Sequence, residues 1–256
     1  MREITSKDNR IYKTCEQLSL KKYRDRLGRY LIEGENLLEE AVKNGAAVET
    51  VLLRRGCDKL PSELADKAFV LDERLFDRLA QTETSQGVLA IVEKPVTDKA
   101  DFIGKAGNFI VLDRLQDPGN IGTILRTADA AGYTLAVVMK GTADVFSPKT
   151  VRAATGSLFR MPVVFLDSVS ELSEFTKAAG KKLVATCFDT QCYYFDVNLT
   201  DNIALVIGNE GNGISSEIIE SSDIKIKIPM HGNIESLNAS VAAGILMYES
   251  VRCNKA

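Results

Sequence analysis

From residue 108 onward the chain repeats one pattern, a short apolar run followed by a helix-like segment. The runs fall at 109–112, 135–138, 163–165, 182–186, 203–207 and 224–228. Apolar runs without alternation are strands covered on both faces, which means a parallel sheet flanked by helices. A sheet of that kind takes its ligands in the crevice beyond the carboxyl ends of its strands. Residues bearing chemistry are therefore sought just after each run.

The first ninety-odd residues read as a separate, smaller α/β unit. A basic helix over 7–27 leads to a strand at 30–32 and a helix over 35–44. Strands follow at 48–53 and, more weakly, 68–71, then a short helix at 75–80 and a buried strand at 87–92. The stretch from 95, with Pro95 and few large apolar residues, serves as a linker. The predicted organisation is 1–94, a linker at 95–107, and 108–256.

Composition narrows the function classes. With 45% hydrophobic and 26% charged residues the chain is ordinary for a globular protein. No apolar run approaches the length of a membrane span, and the charged amino terminus does not read as a secretory signal. The five cysteines form no Cys-x-x-Cys pair, and His231 is the single histidine. Free thiols of a reducing cytoplasm are the expectation, and a metal centre is not. The net charge is −3, yet residues 1–30 hold nine Lys or Arg against four acids, leaving −8 for the rest. A basic segment on an acidic body can engage nucleic acid locally; a solvated helix face is the plainer reading.

Three motifs sit at the ends of the second-half strands. The first, GNIGTILRTADAAG at 119–132, sets Asn120 as the expected N-cap of a helix whose buried stripe is Ile121, Ile124, Leu125 and Ala128. Arg126 lies off that stripe. The second, IGNEGNGIS at 207–215, has the spacing GxxGxG rather than the GxGxxG of a dinucleotide loop. Its glycines still demand positive φ or close backbone approach, and Glu210 within it needs a partner. The third, at 228–246, is a ten-residue loop before a last helix rich in small residues: Ala239, Ser240, Ala242, Ala243 and Gly244. Those residues suit tight internal packing or a subunit interface.

Taken together, Asn120 and Arg126, the Ile207–Gly211 segment, and Ile228-Pro229 with Ser236 to Ser240 resemble the SpoU (TrmH-like) branch of the SPOUT RNA methyltransferases. The likeness covers 108–256. Tyr30 to Gly34 and the strand after Gly87 are similar to the substrate-binding module, of ribosomal-protein type, that precedes this domain in several members. The resemblance implies an α/β fold with a C-terminal trefoil-knotted domain. It also implies transfer of a methyl group from S-adenosylmethionine to an RNA ribose 2′-hydroxyl, by a homodimer paired through that domain. Ribosomal RNA is the expected target, with transfer RNA as the alternative; a non-catalytic RNA-binding or ribosome-assembly factor keeping the fold is a further reading. Carried over by position, the cofactor contacts are Thr186, Gly208, Asn209, Ile228, Met230, Ser236 and Leu237. The catalytic set is Arg126, Asn120, Glu210 and Asn238. His231, in the same loop, is not required by the spacing.

Overall fold

The computed structural model describes residues 2–82 and 84–253. The chain forms two compact units: residues 1–95 with 144–160, and residues 96–143 with 161–256.

The first unit is built on a five-stranded mixed sheet. Its elements are β1 (Arg2–Ile4), α1 (Arg10–Leu18), α2 (Lys21–Leu27), β2 (Arg29–Glu33), α3 (Glu35–Lys43), β3 (Val48–Arg54), β4 (Ala68–Leu71), α4 (Glu73–Leu79) and β5 (Val88–Glu93). The strand order is β1-β4-β3-β5-β2. The β1 and β3 strands run parallel to β4, whereas β5 is antiparallel to both β2 and β3. The single basic helix expected over 7–27 is instead two. Asn9 caps α1 by accepting the Ile11 N–H, and Ser19 at its end donates its hydroxyl to the Glu16 carbonyl. Such local side-chain bonds compete with helix continuation, so the chain breaks before Lys21. The strand β1 carried no sequence signal beyond Ile4, which is buried.

The second unit holds a six-stranded, wholly parallel sheet. It starts with β6 (Phe109–Leu112), α5 (Pro118–Ala130) and β7 (Leu135–Met139). Residues 144–160, carrying α6 (Pro148–Ala154), then group with the first unit. The second unit resumes with β8 (Val163–Leu166), α7 (Val169–Ala178), β9 (Lys182–Thr186), β10 (Ile203–Ile207), α8 (Ser216–Ser221), β11 (Ile224–Ile226) and α9 (Ala239–Cys253). The order is β11-β9-β10-β6-β7-β8, with every pairing parallel. The central strands are buried along their whole length, as the unbroken apolar runs require. One face packs the aromatic group Phe102, Phe109 and Phe175.

The excursion at 144–160 is fastened to the first unit by side chains. Phe146 packs on Tyr30 with ring centroids 5.0 Å apart, and Arg160 pairs with Glu40. Asp144 meets Arg24 at 2.6 Å, and both side chains are at least nine-tenths buried. Arg24 also donates to the carbonyls of Leu18 and Ser19, closing the carboxyl end of α1. Removing one partner of a buried pair leaves an uncompensated charge, whereas replacing both by apolar groups is close to neutral. Asp144→Ala is expected to lower unfolding free energy by about 3–5 kcal/mol in urea titrations. The double variant Arg24→Met/Asp144→Leu should lose much less; equal losses would contradict this account.

Candidate active site

The helix α5 starts three residues earlier than the motif suggests. Asp117 is its N-cap, accepting the Asn120 N–H at 2.9 Å, and Pro118 occupies the first helical position. Asn120 is therefore not the cap, and its side chain is available for contacts across the sheet edge. Its Nδ2 donates to Glu210 Oε1 at 3.1 Å, and its Oδ1 accepts from Asn238 Nδ2 at 3.0 Å. The Glu210 carboxylate also accepts the backbone N–H groups of Gln116 and Asp117, at 3.2 and 3.1 Å. Asn238 Oδ1 in turn accepts from the backbone of Ser240 and Val241 and from the Ser240 hydroxyl, capping α9. One chain of hydrogen bonds thus joins the turn after β6, the loop after β10 and the start of the last helix.

The glycine-rich loop has a physical basis unrelated to a dinucleotide fingerprint. Asn209 and Gly213 exchange backbone hydrogen bonds, and Asn209 Oδ1 accepts from Gly211 and Asn212. Gly213 takes φ +67° to turn the chain. A Cβ on Gly208 would sit 2.3 Å from the Ile214 nitrogen, so the strand end and the returning loop fit together only because glycine is there. Asn209 Nδ2 donates to the Arg114 carbonyl, and buried Asp113 accepts the Ser215 N–H at 2.7 Å. Asp113, Gln116 and Asp117 were not singled out from the sequence. An acid directly after the apolar run 109–112 was the available signal for Asp113.

These loops enclose a cavity of about 830 Å³ at the carboxyl edge of the sheet. Thr186, Gly208, Asn209, Ile228, Met230, Ser236 and Leu237 all line it, as do Glu210 and Asn238. Its volume lies within the range usual for small-molecule sites. The lining combines apolar side chains (Ile207, Ile228, Met230, Leu237) with the carboxylates of Glu210 and Glu235 and the Lys227 amine. Asn120 reaches the cavity through Glu210 and Asn238 and is not itself a lining residue. Arg126 is exposed on α5, six residues beyond Asn120, and does not line the cavity; His231 is exposed as well.

Burial pushes the Glu210 carboxyl up, but the Asn120 amide and the surrounding backbone N–H groups outweigh it and hold it below the ordinary glutamate value. The carboxylate is therefore the form built into the site.

Fold and cavity define an α/β protein whose ligand site is assembled from several loops at one edge of a parallel sheet. Residues 107–248 match the model of the SpoU rRNA Methylase family, and residues 9–90 match that of an MRM3-like substrate binding domain. The chain is 38% identical to the 23S rRNA (guanosine(2553)-2'-O)-methyltransferase RlmP of Bacillus subtilis, over 97% of this chain and 98% of that protein. It is 35% identical to the 23S rRNA (uridine(2479)-2'-O)-methyltransferase of Streptomyces viridochromogenes, covering 98% of this chain and 92% of that one. The crystal structure of an AdoMet-bound rRNA methyltransferase from Sinorhizobium meliloti superposes with a TM-score of 0.89, at 30% identity, covering 98% of this chain and 97% of that chain. The chain belongs to the SpoU rRNA methylase family.

The acid side of the stability profile tests the Glu210 assignment. A carboxyl held below its unfolded value, about 4.3, contributes stability that is present above that pH and lost as pH falls through the folded value. The wild-type melting temperature is expected to fall more steeply below about pH 4.3 than that of Glu210→Gln. Parallel curves would show that the carboxylate is not held as described.

Proposed function

We propose that this protein transfers the methyl group of S-adenosylmethionine to a ribose 2′-hydroxyl of ribosomal RNA, acting in the cytoplasm as a homodimer. The observation that carries the reading is the hydrogen-bond chain from Glu210 through Asn120 to Asn238. Its members Glu210 and Asn238 line the same cavity as the seven residues expected to hold the donor. A non-catalytic RNA-binding factor has no use for so fixed a set. The relatives that match along nearly the whole chain are named for 23S rRNA, which favours ribosomal over transfer RNA.

The residues fit this donor. The loop after β10 and the loop before α9 offer backbone groups and apolar side chains to a nucleoside, and the Glu210 carboxylate lines the same cavity with Glu235 and Lys227. When bound, S-adenosylmethionine supplies a methyl group already activated on a sulfonium. What the protein adds is position and electrostatics. Asn120 and Asn238 lock the cavity's rim, so the entering hydroxyl meets a fixed geometry. Arg126, which does not line its own chain's cavity, is assigned to the hydroxyl by the likeness of the 119–132 motif to the family. A guanidinium is a poor base, so it steadies the developing alkoxide and an adjoining phosphate while the hydroxyl's proton passes to solvent. Such stabilisation is worth about 3 kcal/mol, on the order of a hundredfold in rate.

In this reading residues 1–94 form the RNA substrate-binding module, of ribosomal-protein type, with 95–107 as linker. Residues 108–256 form the catalytic domain, with a trefoil knot, apart from 144–160, which group with the first unit. Support for the knot comes from the sheet order, in which β9 lies between β11 and β10, and from one cavity being lined by both the 208–214 and 228–239 loops. The homodimer is supported by α9. One side packs on α5, while Val241 and Tyr248, seven residues apart, leave about half their surface exposed, with Ile245 between them.

Two experiments test the proposal. Incubation with methyl-labelled donor and 23S rRNA, followed by mapping of 2′-O-methyl positions, should yield a discrete site. Arg126→Ala should lower kcat by roughly a hundredfold while leaving donor affinity by calorimetry unchanged. An equal loss of both would remove Arg126 from the hydroxyl. Separately, Val241→Asp/Tyr248→Asp should give a monomer by light scattering, and a dimer persisting in that variant would place the interface elsewhere.

A further inference from the structure

Arg114 stands two residues beyond β6 with φ +55°, in the left-handed region that glycine and asparagine enter without strain. Three side chains hold it there. Thr142 Oγ1 accepts its N–H at 3.0 Å, and its carbonyl accepts from Asn209 Nδ2 at 2.8 Å and from Gln116 Nε2 at 3.0 Å. Room is made for the stem as well: a Cβ on Gly141, in the turn after β7, would lie 3.2 Å from Arg114 Cγ. A backbone state that costs energy persists only where its surroundings over-determine it, and such positions gather at functional sites.

The guanidinium is oriented too. Its Nε–Nη2 edge faces buried Asp113, Nε donating to Oδ1 at 3.2 Å and Nη2 to Oδ2 at 3.5 Å. Among the described residues no second carboxylate pairs with it, and the side chain is 43% exposed. Asp113 also accepts the Ser215 N–H at 2.7 Å, and an ion pair this open to solvent adds little to stability. A glycine would serve the turn; the arginine adds a rigid fork of N–H donors, which matches the oxygens of a phosphate. Resting on the reading that ribosomal RNA is the substrate, we infer that Arg114 binds a backbone phosphate of the RNA strand whose ribose enters the site.

Position separates this anion from the carboxylate of the methyl donor. The strand β6 lies between β10 and β7, and the Arg114 stem rests on Gly141 at the β7 side. Neither residue lines the cavity, whose walls come mainly from the loops after β9 and β10 and before α9. The turn is still bonded to the site. Asn209, a lining residue, meets the Arg114 carbonyl, and Gln116 and Asp117 give their N–H groups to Glu210. A phosphate held at Arg114 is thereby set in register with the residues around the acceptor, as backbone contacts to nucleic acid commonly do.

The left-handed backbone lets the side chain be removed without disturbing the turn. Arg114→Gly and Arg114→Asn both keep a residue suited to φ +55°, and the asparagine amide can still donate to Asp113. Both should keep the wild-type circular dichroism spectrum and the wild-type affinity for S-adenosylhomocysteine by calorimetry. In binding to 23S rRNA over a salt series, each should lose roughly fivefold or more in affinity, and the slope of log K against log salt should flatten by about one. Arg114→Lys, which keeps the charge but not the fork, should restore the slope and only part of the affinity. An unchanged slope in both neutral variants would overturn the inference, as would a loss of S-adenosylhomocysteine affinity. A wild-type protein that methylates no RNA, while Arg114→Gly still flattens the slope, sinks the proposed function and leaves Arg114 in place; one with no affinity for RNA sinks both.

Discussion

The contact on which the site depends is the paired use of one amide, that of Asn120. Its nitrogen faces Glu210, ninety residues away in sequence, and its oxygen faces Asn238, 118 residues away. No backbone pairing between strands could join these three segments, because each lies beyond the carboxyl end of its strand. The parallel sheet brings the loops to one edge; the amide fixes their spacing. Asp117 makes this arrangement possible by capping α5 and so freeing Asn120 from that duty. Glu210 completes it by accepting backbone N–H groups from the turn after β6.

The sheet itself was open to inference from sequence because burial on both faces leaves a plain trace, the unbroken apolar run. The strands β6, β7, β9 and β10 were all legible for that reason. The motif residues were legible too, since glycines and amides clustered directly after a strand answer either to a tight backbone turn or to a ligand. Boundaries were less so. Asn and Asp cap helices almost equally well, and only the Pro118 ring, preset for the first helical turn, separates the two choices at the start of α5. The break between α1 and α2 depends on a serine hydroxyl turning back to a carbonyl, which periodicity does not register.

Hidden from sequence altogether was the fate of residues 144–160. Their helix α6 has ordinary capping by Ser147 and Pro148 and reads as a continuation of the alternating pattern. What assigns it to the first unit is side-chain matching: a phenylalanine on Tyr30, an aspartate on a buried arginine, and an arginine on Glu40. Each partner is remote in the chain, and none of the residue types is unusual.

The direction of the Asn120 amide carries a chemical liability. Slow hydrolysis of that amide to a carboxylate, the ordinary ageing reaction of asparagine, would set an anion against Glu210 and remove the donor between them. Electrostatic repulsion would then replace attraction at the seam of three loops. A molecule damaged at this single nitrogen would keep its hydrophobic interior and its outward form while losing the alignment of its pocket, so old protein would pass as folded long after it had stopped working.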